Sequence, residues 1–301
     1  MSMSMSTNRY RTFVAVAHHG SLSAAARSLG VSQPSVSSQI STLERQSRVE
    51  LFHRRGYRMS LTDAGHKLLA VAQKLLAIES EAEFLLRDSG QLNQGVLKLG
   101  AVGPFHVIEM VAAYRQHYPG MQLSIRMGNS QQVLHDLEHY ITDIAVLAGR
   151  YERPGLLSIP YASHPIILFA PLSHPLAAFD TVPIHALQGV QLIQRERGST
   201  TRAALEQALA AAQVQPQTVI EIGSREAIRE AVARGLGVGA VSEAEFIADP
   251  RFRPIRITDN PASTSTSVYV MQERCDSVLL QSFLQACQLQ VQADPAVAAP
   301  Y

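Results

Sequence analysis

The sequence predicts an α/β protein in three parts: a small helical head, a long linking helix and a two-lobed α/β body. Three observations predict this arrangement. Residues 1–65 hold eight Lys and Arg against three Asp and Glu, a net charge of +5, and the other residues therefore carry −4. Residues 66–88 contain neither Pro nor Gly and repeat apolar residues at helical spacing. Beyond residue 94, short apolar runs alternate with amphipathic segments. The predicted parts are a head at 1–65, a linking helix with hinge at 66–94 and a body at 95–301.

Composition narrows the class of protein. At 301 residues the chain exceeds what one hydrophobic core usually supports, and 46% hydrophobic residues exclude a mostly disordered chain. Cys275 and Cys287 cannot make a disulfide framework, and no cysteine–histidine cluster of metal-ligand spacing accompanies them. Met1–Thr7 lacks the charge and apolar stretch of a signal peptide, and the longest apolar run is too short for a membrane span. We therefore expect a cytoplasmic protein with no metal and no cofactor.

The head contains the pattern of a helix-turn-helix. Gly30 can take the left-handed conformation that ends one helix, while Ser32 caps the next and Pro34 fits its first turn. The last of these helices has uncharged polar residues on its outer face, which suits a groove lined by phosphates and base edges. The predicted segments are a first helix that begins after Thr7 or Asn8 and ends at Gly20, a second over Leu22–Leu29, and a recognition helix over Gln33–Leu43.

A basic hairpin follows the recognition helix. Two short apolar pieces, Leu51-Phe52 and Met59–Leu61, flank a turn that contains three arginines and Gly56. A solvated basic loop would have the same composition, but beside a helix-turn-helix we favour a wing that reaches phosphates or a minor groove. The residues predicted to contact double-stranded DNA are Ser32, Gln33, Pro34, Ser35, Ser38, Gln39, Thr42, Arg54, Arg55 and Arg58.

The head combines several spaced elements in one order, namely Ser23–Ser37, Leu43-Glu44, Leu51-Phe52, Arg54 and Leu61–Gly65. In this combination it resembles the head of LysR-type transcriptional regulators. One departure stands out: Ser47-Arg48 occupies the place where the family commonly has an apolar residue and then glycine. The change costs about 1 kcal/mol if the site needs a positive φ, and it could also give Arg48 a phosphate contact.

The linking helix sets the expected oligomeric state. It is capped by Thr62, runs to about Leu92, and has an apolar seam with alternating four- and three-residue steps. A helix buried within one domain is the competing account, but charged residues occupy its other faces. Pairing of two chains along the seam predicts a homodimer with two recognition helices, and the family resemblance implies further assembly into a homotetramer. The seam residues are Ala64, Leu68, Val71, Leu75, Ile78, Ala82 and Leu85.

The body is predicted to hold two doubly wound lobes, which resemble type 2 periplasmic binding proteins. Lobe I is expected at about 95–163 and 266–291, and lobe II at about 164–265. Ligands in such sheets bind beyond the carboxyl ends of strands, where helix N-termini attract anions. Each Ser there could simply cap its helix, and Arg225 could form a surface salt bridge. The predicted effector-binding residues are Gly103, Pro104, Phe105, Asn129, Ser130, Glu196, Ser199, Thr200, Arg202, Ser224, Arg225 and Glu226.

A finer resemblance points to an effector. Six stretches resemble LysR regulators associated with 2-aminoethylphosphonate catabolism, namely Ile193–Arg202, Glu221–Val232, Gly235–Gly239, Val241–Phe246, Gly128–Ser130 and Phe52–Gly56. This resemblance implies a small zwitterionic phosphonate ligand, with hydroxyls and Arg225 for the phosphonate and Glu196 or Glu226 for the ammonium. Another small organic anion would suit much of the same set.

Enzymatic function is disfavoured. The sequence contains no nucleophile elbow, no zinc-protease helix motif and no Walker loop, and Gly235, Gly237 and Gly239 follow a helix where a nucleotide fingerprint would follow a strand. The remaining alternative is a small-molecule enzyme fused to a DNA-binding module. Turnover of a bound small molecule would distinguish it from a sensor.

Overall fold

The computed structural model describes residues 3–56, 58–88, 95–259 and 262–289. The predicted hinge at Ser89–Gly95 lies outside them except for Gly95, as do Tyr57 in the wing turn and the expected helix ends at Leu92 and Val291.

The head is a three-helix cluster around an apolar core. Phe13 of the first helix packs with Val36 and Ile40 of the third, and all three are fully buried. Gly30 has φ 66° and ends the second helix, as predicted. Two bounds are wrong: the first helix begins earlier than Thr7, and the third continues past Leu43 because no helix breaker follows. The helices are α1 (Met3–His19), α2 (Leu22–Leu29) and α3 (Gln33–Ser47).

The wing is a two-stranded antiparallel hairpin, β1 (Phe52–Arg55) and β2 (Arg58–Leu61), with Phe52 opposite Leu61. Met59 donates its backbone N–H to the Gly20 carbonyl at 2.9 Å. This bond ties the wing to the end of α1.

The linking helix α4 (Asp63–Asp88) begins where the wing ends. Thr62 Oγ1 accepts the Gly65 N–H at 3.0 Å and so caps it. Several apolar side chains along α4 are exposed in the single chain, namely Val71, Leu75, Ile78, Leu85 and Leu86. Phe84, by contrast, is buried against the body.

Lobe I has a sheet in the order β4-β3-β5-β12-β6, with α5 and a C-terminal helix on its main core. Strands β3, β4 and β5 are parallel to one another, and β12 pairs antiparallel with both β5 and β6. Its elements are β3 (Val96–Ala101), α5 (Pro104–His117), β4 (Gln122–Met127), α6 (Ser130–Glu138), β5 (Ile144–Ala148), part of β6 (Leu156–Pro171), β12 (Ser263–Met271) and α9 (Val278–Ala286).

Lobe II extends from the second half of β6. That half pairs with β10 on one side and β11 on the other, and β10 continues through β8 to the edge strand β9. The elements are β7 (Thr181–Val182), β8 (Gln191–Gln194), α7 (Thr200–Ala211), β9 (Gln217–Glu221), α8 (Arg225–Ala233), β10 (Val238–Ser242) and β11 (Phe252–Ile257).

Two strands, β6 and β12, run between the lobes and were predicted too short. The expected strands covered Ile166–Ala170 and Val268–Met271, whereas the strands begin at Leu156 and Ser263. The missed halves contain prolines, serines and threonines, which hide the alternation, although Thr264 and Thr266 are buried. Strand β11 was not predicted either.

In the described part of the chain, every helix is too short or too polar to cross a lipid bilayer.

Candidate nucleic-acid interface and ligand cleft

The start of α3 presents the predicted polar face. Ser32 Oγ accepts the Ser35 N–H at 3.4 Å, and Pro34 lies in the first turn. Gln33, Pro34 and Ser38 are exposed, while Val36 and Ile40 hold the opposite face in the head core. Short uncharged side chains therefore project from α3, and the buried residues on the opposite face hold this helix in place.

Gln39 and Thr42 are less accessible than the rest of this set. Both are partly buried, and Gln39 Oε1 accepts a hydrogen bond from the buried Thr12 hydroxyl at 2.7 Å. The Gln39 amide also lies 3.5 Å from Ser35 Oγ. Gln39 thus joins α3 to α1 as well as facing outward.

Glu44 positions the wing on the recognition helix. Its Oε1 accepts backbone N–H groups of Leu51 at 2.9 Å and Phe52 at 3.2 Å, and Oε2 lies 3.7 Å from Arg54. Arg55 and Arg58 pair in register at the hairpin end and are exposed. Glu44, near the end of α3, therefore fixes the first strand of the wing, while the wing arginines are exposed.

Arg48 occupies the position where the resemblance suggested a need for glycine. It caps α3 with φ 54° and ψ 34°, the left-handed conformation that disfavours a side chain. Its backbone N–H donates to the Glu44 carbonyl, so the helix end is formed at the cost of local strain.

A cavity of about 80 Å³ lies between the two lobes. Pro104 and Phe105, at the start of α5, form the lobe I side. The lobe II side combines aromatic and aliphatic surface with charged groups from several elements, namely Phe169, Arg195, Thr201, Arg225, Glu226, Ile228, Arg229, Ala240, Val241, Glu245, Phe246 and Ile247.

Arg225 is held by an ion pair inside this cleft. Its Nε donates to Glu245 Oε2 at 2.7 Å, with the two side chains 28% and 15% exposed. A Cβ on Gly103 would lie 2.9 Å from Glu245 Oε1, so the glycine permits this close approach. The salt bridge expected as the alternative role of Arg225 therefore forms, and it forms at the wall of the cavity.

Two further carboxylates near the cavity are stabilised in their charged form. A hydrogen bond from the Ser224 hydroxyl lowers the pKa of Glu226, whose Oε2 lies 2.7 Å from Ser224 Oγ. Burial raises the pKa of Glu196, but paired hydrogen bonds from Arg195 outweigh it and leave that pKa lowered. Both groups are thus anionic at neutral pH.

The other expected ligand residues lie outside the lining of this cavity. Arg202 donates hydrogen bonds to Glu206 at 2.7 Å, Glu221 at 2.6 Å and the Arg195 carbonyl at 2.9 Å, and the bonds to the two carboxylates raise its pKa. The remaining residues sit at helix starts, where Asn129 caps α6 and Ser199 caps α7, next to Ser130 and Thr200. Three of the four expected helix N-termini, those of α5, α7 and α8, meet at the cavity, which α7 reaches through Thr201.

Sequence reasoning missed Arg229, Arg195, Glu245, Phe169 and Phe246 as cleft residues. Arg229 had a usable signal, because it follows Arg225 by one helical turn and so shares its face of α8. Its Nε is buried, and among the described residues no atom accepts a hydrogen bond from it.

The described residues contain no group of three or more His, Cys, Asp or Glu that could hold a metal ion. Burial raises the pKa of Cys287 to about 12 and also raises the pKa of Cys275. Both thiols are therefore protonated at neutral pH and are poor nucleophiles.

Comparisons with known proteins identify both halves of the chain. Residues 7–66 match the model of the bacterial regulatory helix-turn-helix protein, lysR family, and residues 90–292 match the LysR substrate binding domain. The chain belongs to the LysR-type transcriptional regulators. It is thus a DNA-binding transcriptional regulator, and its head and two-lobed body match the predicted fold class.

Relatives of this LysR-type regulator include named proteins and solved structures. A probable RuBisCO transcriptional regulator from Nostoc sp. strain PCC 7120 is 35% identical over 78% of this chain and 72% of its own length. A full-length OxyR variant from Pseudomonas aeruginosa has a TM-score of 0.74 at 24% identity, covering 96% of this chain and 98% of its own. The regulatory domain of CcmR from Synechocystis PCC6803, solved in complex with 2-PG, has a TM-score of 0.58 at 28% identity, covering 64% and 96%.

Proposed function

We propose that this regulator binds specific double-stranded DNA sites and that a small ligand in the interlobe cleft changes how it does so. The start of α3 reads base edges through Gln33 and Ser38, and Arg54, Arg55 and Arg58 of the wing contact backbone phosphates. The exposed polar face of α3 beside a basic hairpin supports this division of roles.

The DNA-binding form is a homodimer formed along α4. Val71 is 65% exposed and Leu86 85% exposed in the single chain, and this apolar surface continues along the helix. Burial of such a seam against its copy is favourable and places two heads on one duplex. Sedimentation at micromolar concentration tests the dimer, and Val71→Glu is expected to dissociate it. The homotetramer rests on the family resemblance alone, and the same sedimentation experiment tests it.

The proposed ligand is 2-aminoethylphosphonate or a related phosphonate, with a role in controlling phosphonate catabolism. One observation carries this proposal: Arg229 has a buried Nε without a hydrogen-bond acceptor and lines the same cavity as the anionic Glu226. A guanidinium whose Nε lacks an acceptor suits a phosphonate, and the charged carboxylate of Glu226, which the Ser224 hydroxyl holds in place, suits an ammonium. Phe105 and Phe169 provide apolar surface for the short carbon chain between them.

Thermal unfolding with and without added compounds tests the ligand, because tight binding to the folded state raises the melting temperature. We expect a larger increase with 2-aminoethylphosphonate than with ethylphosphonate, which lacks the amine, or ethanolamine, which lacks the phosphonate. Equal increases with both phosphonates would contradict the ammonium site. Conversion of the ligand to a product would contradict a sensor and indicate an enzyme.

Arg229→Gln tests whether the guanidinium of Arg229 binds the ligand. We expect it to weaken ligand binding roughly ten- to hundredfold, because a charge-assisted hydrogen bond is lost. Arg234→Gln is the matched control, since Arg234 follows α8, pairs with Glu230 and does not line the cavity. Equal loss in both variants, measured by titration calorimetry, would contradict a specific role for Arg229.

A second ligand has support from the comparisons. The CcmR regulatory domain in complex with 2-PG is 28% identical to this body. Because three arginines line the cleft, an anion without an amine could bind there. Binding of 2-PG but not of 2-aminoethylphosphonate would favour this alternative.

A further inference from the structure

The linking helix contacts lobe I at three points along its length. Lys74 forms an ion pair with Glu273, and Glu81 Oε2 lies 4.0 Å from Arg274. Further along the helix, Phe84 is buried in the lobe I core, where it packs near Met121 and Gly95. The apolar contact and the charged contacts thus lie on one side of α4.

The charged contacts lie directly after a strand that runs between the lobes. Strand β12 pairs with β6 from Ser263 to Met271, and the chain continues into the short 3₁₀ turn Gln272–Arg274. Strands β6 and β12 connect the two lobes, and Glu273 and Arg274 follow the lobe I end of β12, where Met271 lies opposite Leu156.

Arg274 can release the linking helix without losing all its partners. Its side chain is 8% exposed, and Nη1 donates to Asp143 Oδ1 at 2.6 Å. Asp143 is itself fixed within lobe I, because its Oδ2 accepts the Lys98 N–H at 2.9 Å. If Glu81 moves away, the buried guanidinium keeps a carboxylate, and the large penalty of an unpaired buried charge is avoided.

The interface around these contacts is loosely filled. A cavity of about 820 Å³ lies between α1, α4 and lobe I. Gln73 Oε1 and Arg274 Nε, which face this region, are buried without a hydrogen-bond partner among the described residues. Since well-packed interfaces leave few such atoms, this contact is suited to opening and closing.

We propose that Lys74 and Glu81 of α4, together with Glu273 and Arg274, form a reversible joint that transmits lobe movement to the DNA-binding head. Phe84 is the apolar pivot that remains in lobe I when the charged contacts break. The response to a ligand rests on the proposed function, whereas the joint itself does not.

Zero-length cross-linking with a water-soluble carbodiimide tests the joint in the full chain, because it couples an amine to a carboxylate only when they touch. We expect a Lys74–Glu273 cross-linked peptide that is lost in Glu273→Gln. An equal mixture of ¹⁵N-labelled and unlabelled protein tells whether the link lies within one chain. Absence of the peptide, or links only between labelled and unlabelled chains, would overturn the proposal.

A charge reversal tests transmission to the head without any ligand. Lys74→Glu and Glu273→Lys are each expected to change the affinity for a duplex selected from a random pool by roughly two- to fivefold, as expected for an exposed ion pair. The double reversal should restore it. Arg153→Glu is the control, because it breaks a lobe I pair with Glu138 that does not reach α4.

Unchanged affinity in both single variants, or a double variant that sums the two losses, would overturn the transmitting role. Because no ligand is added, this experiment tests the joint even if the proposed phosphonate does not bind. Conversely, a protein that binds the ligand but whose DNA affinity is unchanged by charge reversal would contradict the proposed joint. The proposal that the protein senses a ligand would then still stand.

Discussion

The head and the cleft use polar residues in opposite ways. On α3, Gln33 and Ser38 are uncharged, exposed and held by a helix whose buried face fixes them. In the cleft, Arg225 and Glu245 are charged and already bound to each other. A surface that meets a polyanion needs donors and acceptors ready in place, whereas a cleft between moving lobes can pair its charges until a ligand replaces one partner. We therefore expect substitutions that strain the backbone to reduce the stability of the head most. We expect substitutions that remove a charge to reduce ligand binding in the cleft most.

The largest expected effect on the head comes from Gly65→Ala. A Cβ at this position would lie 2.3 Å from the Leu51 carbonyl oxygen, which is backbone and cannot rotate away. We expect a loss of about 1–3 kcal/mol in the free energy of unfolding of the head, as for other overpacked sites. Denaturant unfolding measures it, with the exposed Ala70→Ser as control. Unchanged ligand binding in the same variant would show that the stability of the head and ligand binding in the cleft are independent.

Gln33→Ala tests direct base contact. We expect it to reduce discrimination between the selected duplex and single-base variants by about 1–3 kcal/mol. The companion Arg54→Ala should weaken all duplexes alike and reduce the slope of log affinity against log salt by roughly one unit. Fluorescence anisotropy at several salt concentrations measures both. An Arg54→Ala variant that changes base preference would contradict the assigned roles.

Arg48→Gly is expected to stabilise the head. Removing the side chain relieves the left-handed strain at φ 54°, a gain of about 1 kcal/mol before the greater freedom of glycine in the unfolded chain is counted. Arg48→Ala keeps the Cβ and should give no such gain. Denaturant midpoints of the two variants distinguish strain relief from loss of a charge.

The smallest effect is expected where the head approaches lobe I, at His18. Burial lowers its pKa below the ordinary 6.5, and neighbouring cations lower it further, against one carboxylate that raises it. The group therefore favours the docked head above pH 6.5, and this contribution is lost as the pH falls below that value. The groups that face His18 are Arg126, His19, Asp136, His135 and the hydrogen-bonded Gln73.

Hydrogen exchange at the end of α1 between pH 7.5 and 5.5 measures this effect. Faster exchange at the lower pH is expected, and His18→Gln should reduce the difference. Exchange that slows on acidification would contradict the sign.

Local sequence was enough to predict the head, because its elements are continuous. The Ser32 cap, the turn at Gly30 and the hairpin each depend on residues a few positions apart. The cleft was predictable only in part. Pro104, Phe105 and Arg225 follow from the rule that ligands bind beyond strand ends, whereas Phe169 and Glu245 come from segments whose meeting depends on lobe packing.

The strands between the lobes were underestimated for a related reason. Thr264 and Thr266 are buried and bridge the lobes, but a run of Ser and Thr has too little hydrophobic contrast to indicate a strand.

The paired strands β6 and β12 also carry an irregularity with a mechanical consequence. Ala162 lies opposite Thr266 and Pro160 opposite Ser267, so Tyr161 is an extra residue on β6. Such a bulge increases the local right-handed twist of the strand pair. Because successive side chains of a strand point to opposite faces, inserting one more residue into β6 there would turn the inward-facing side chains of one half of the strand outward.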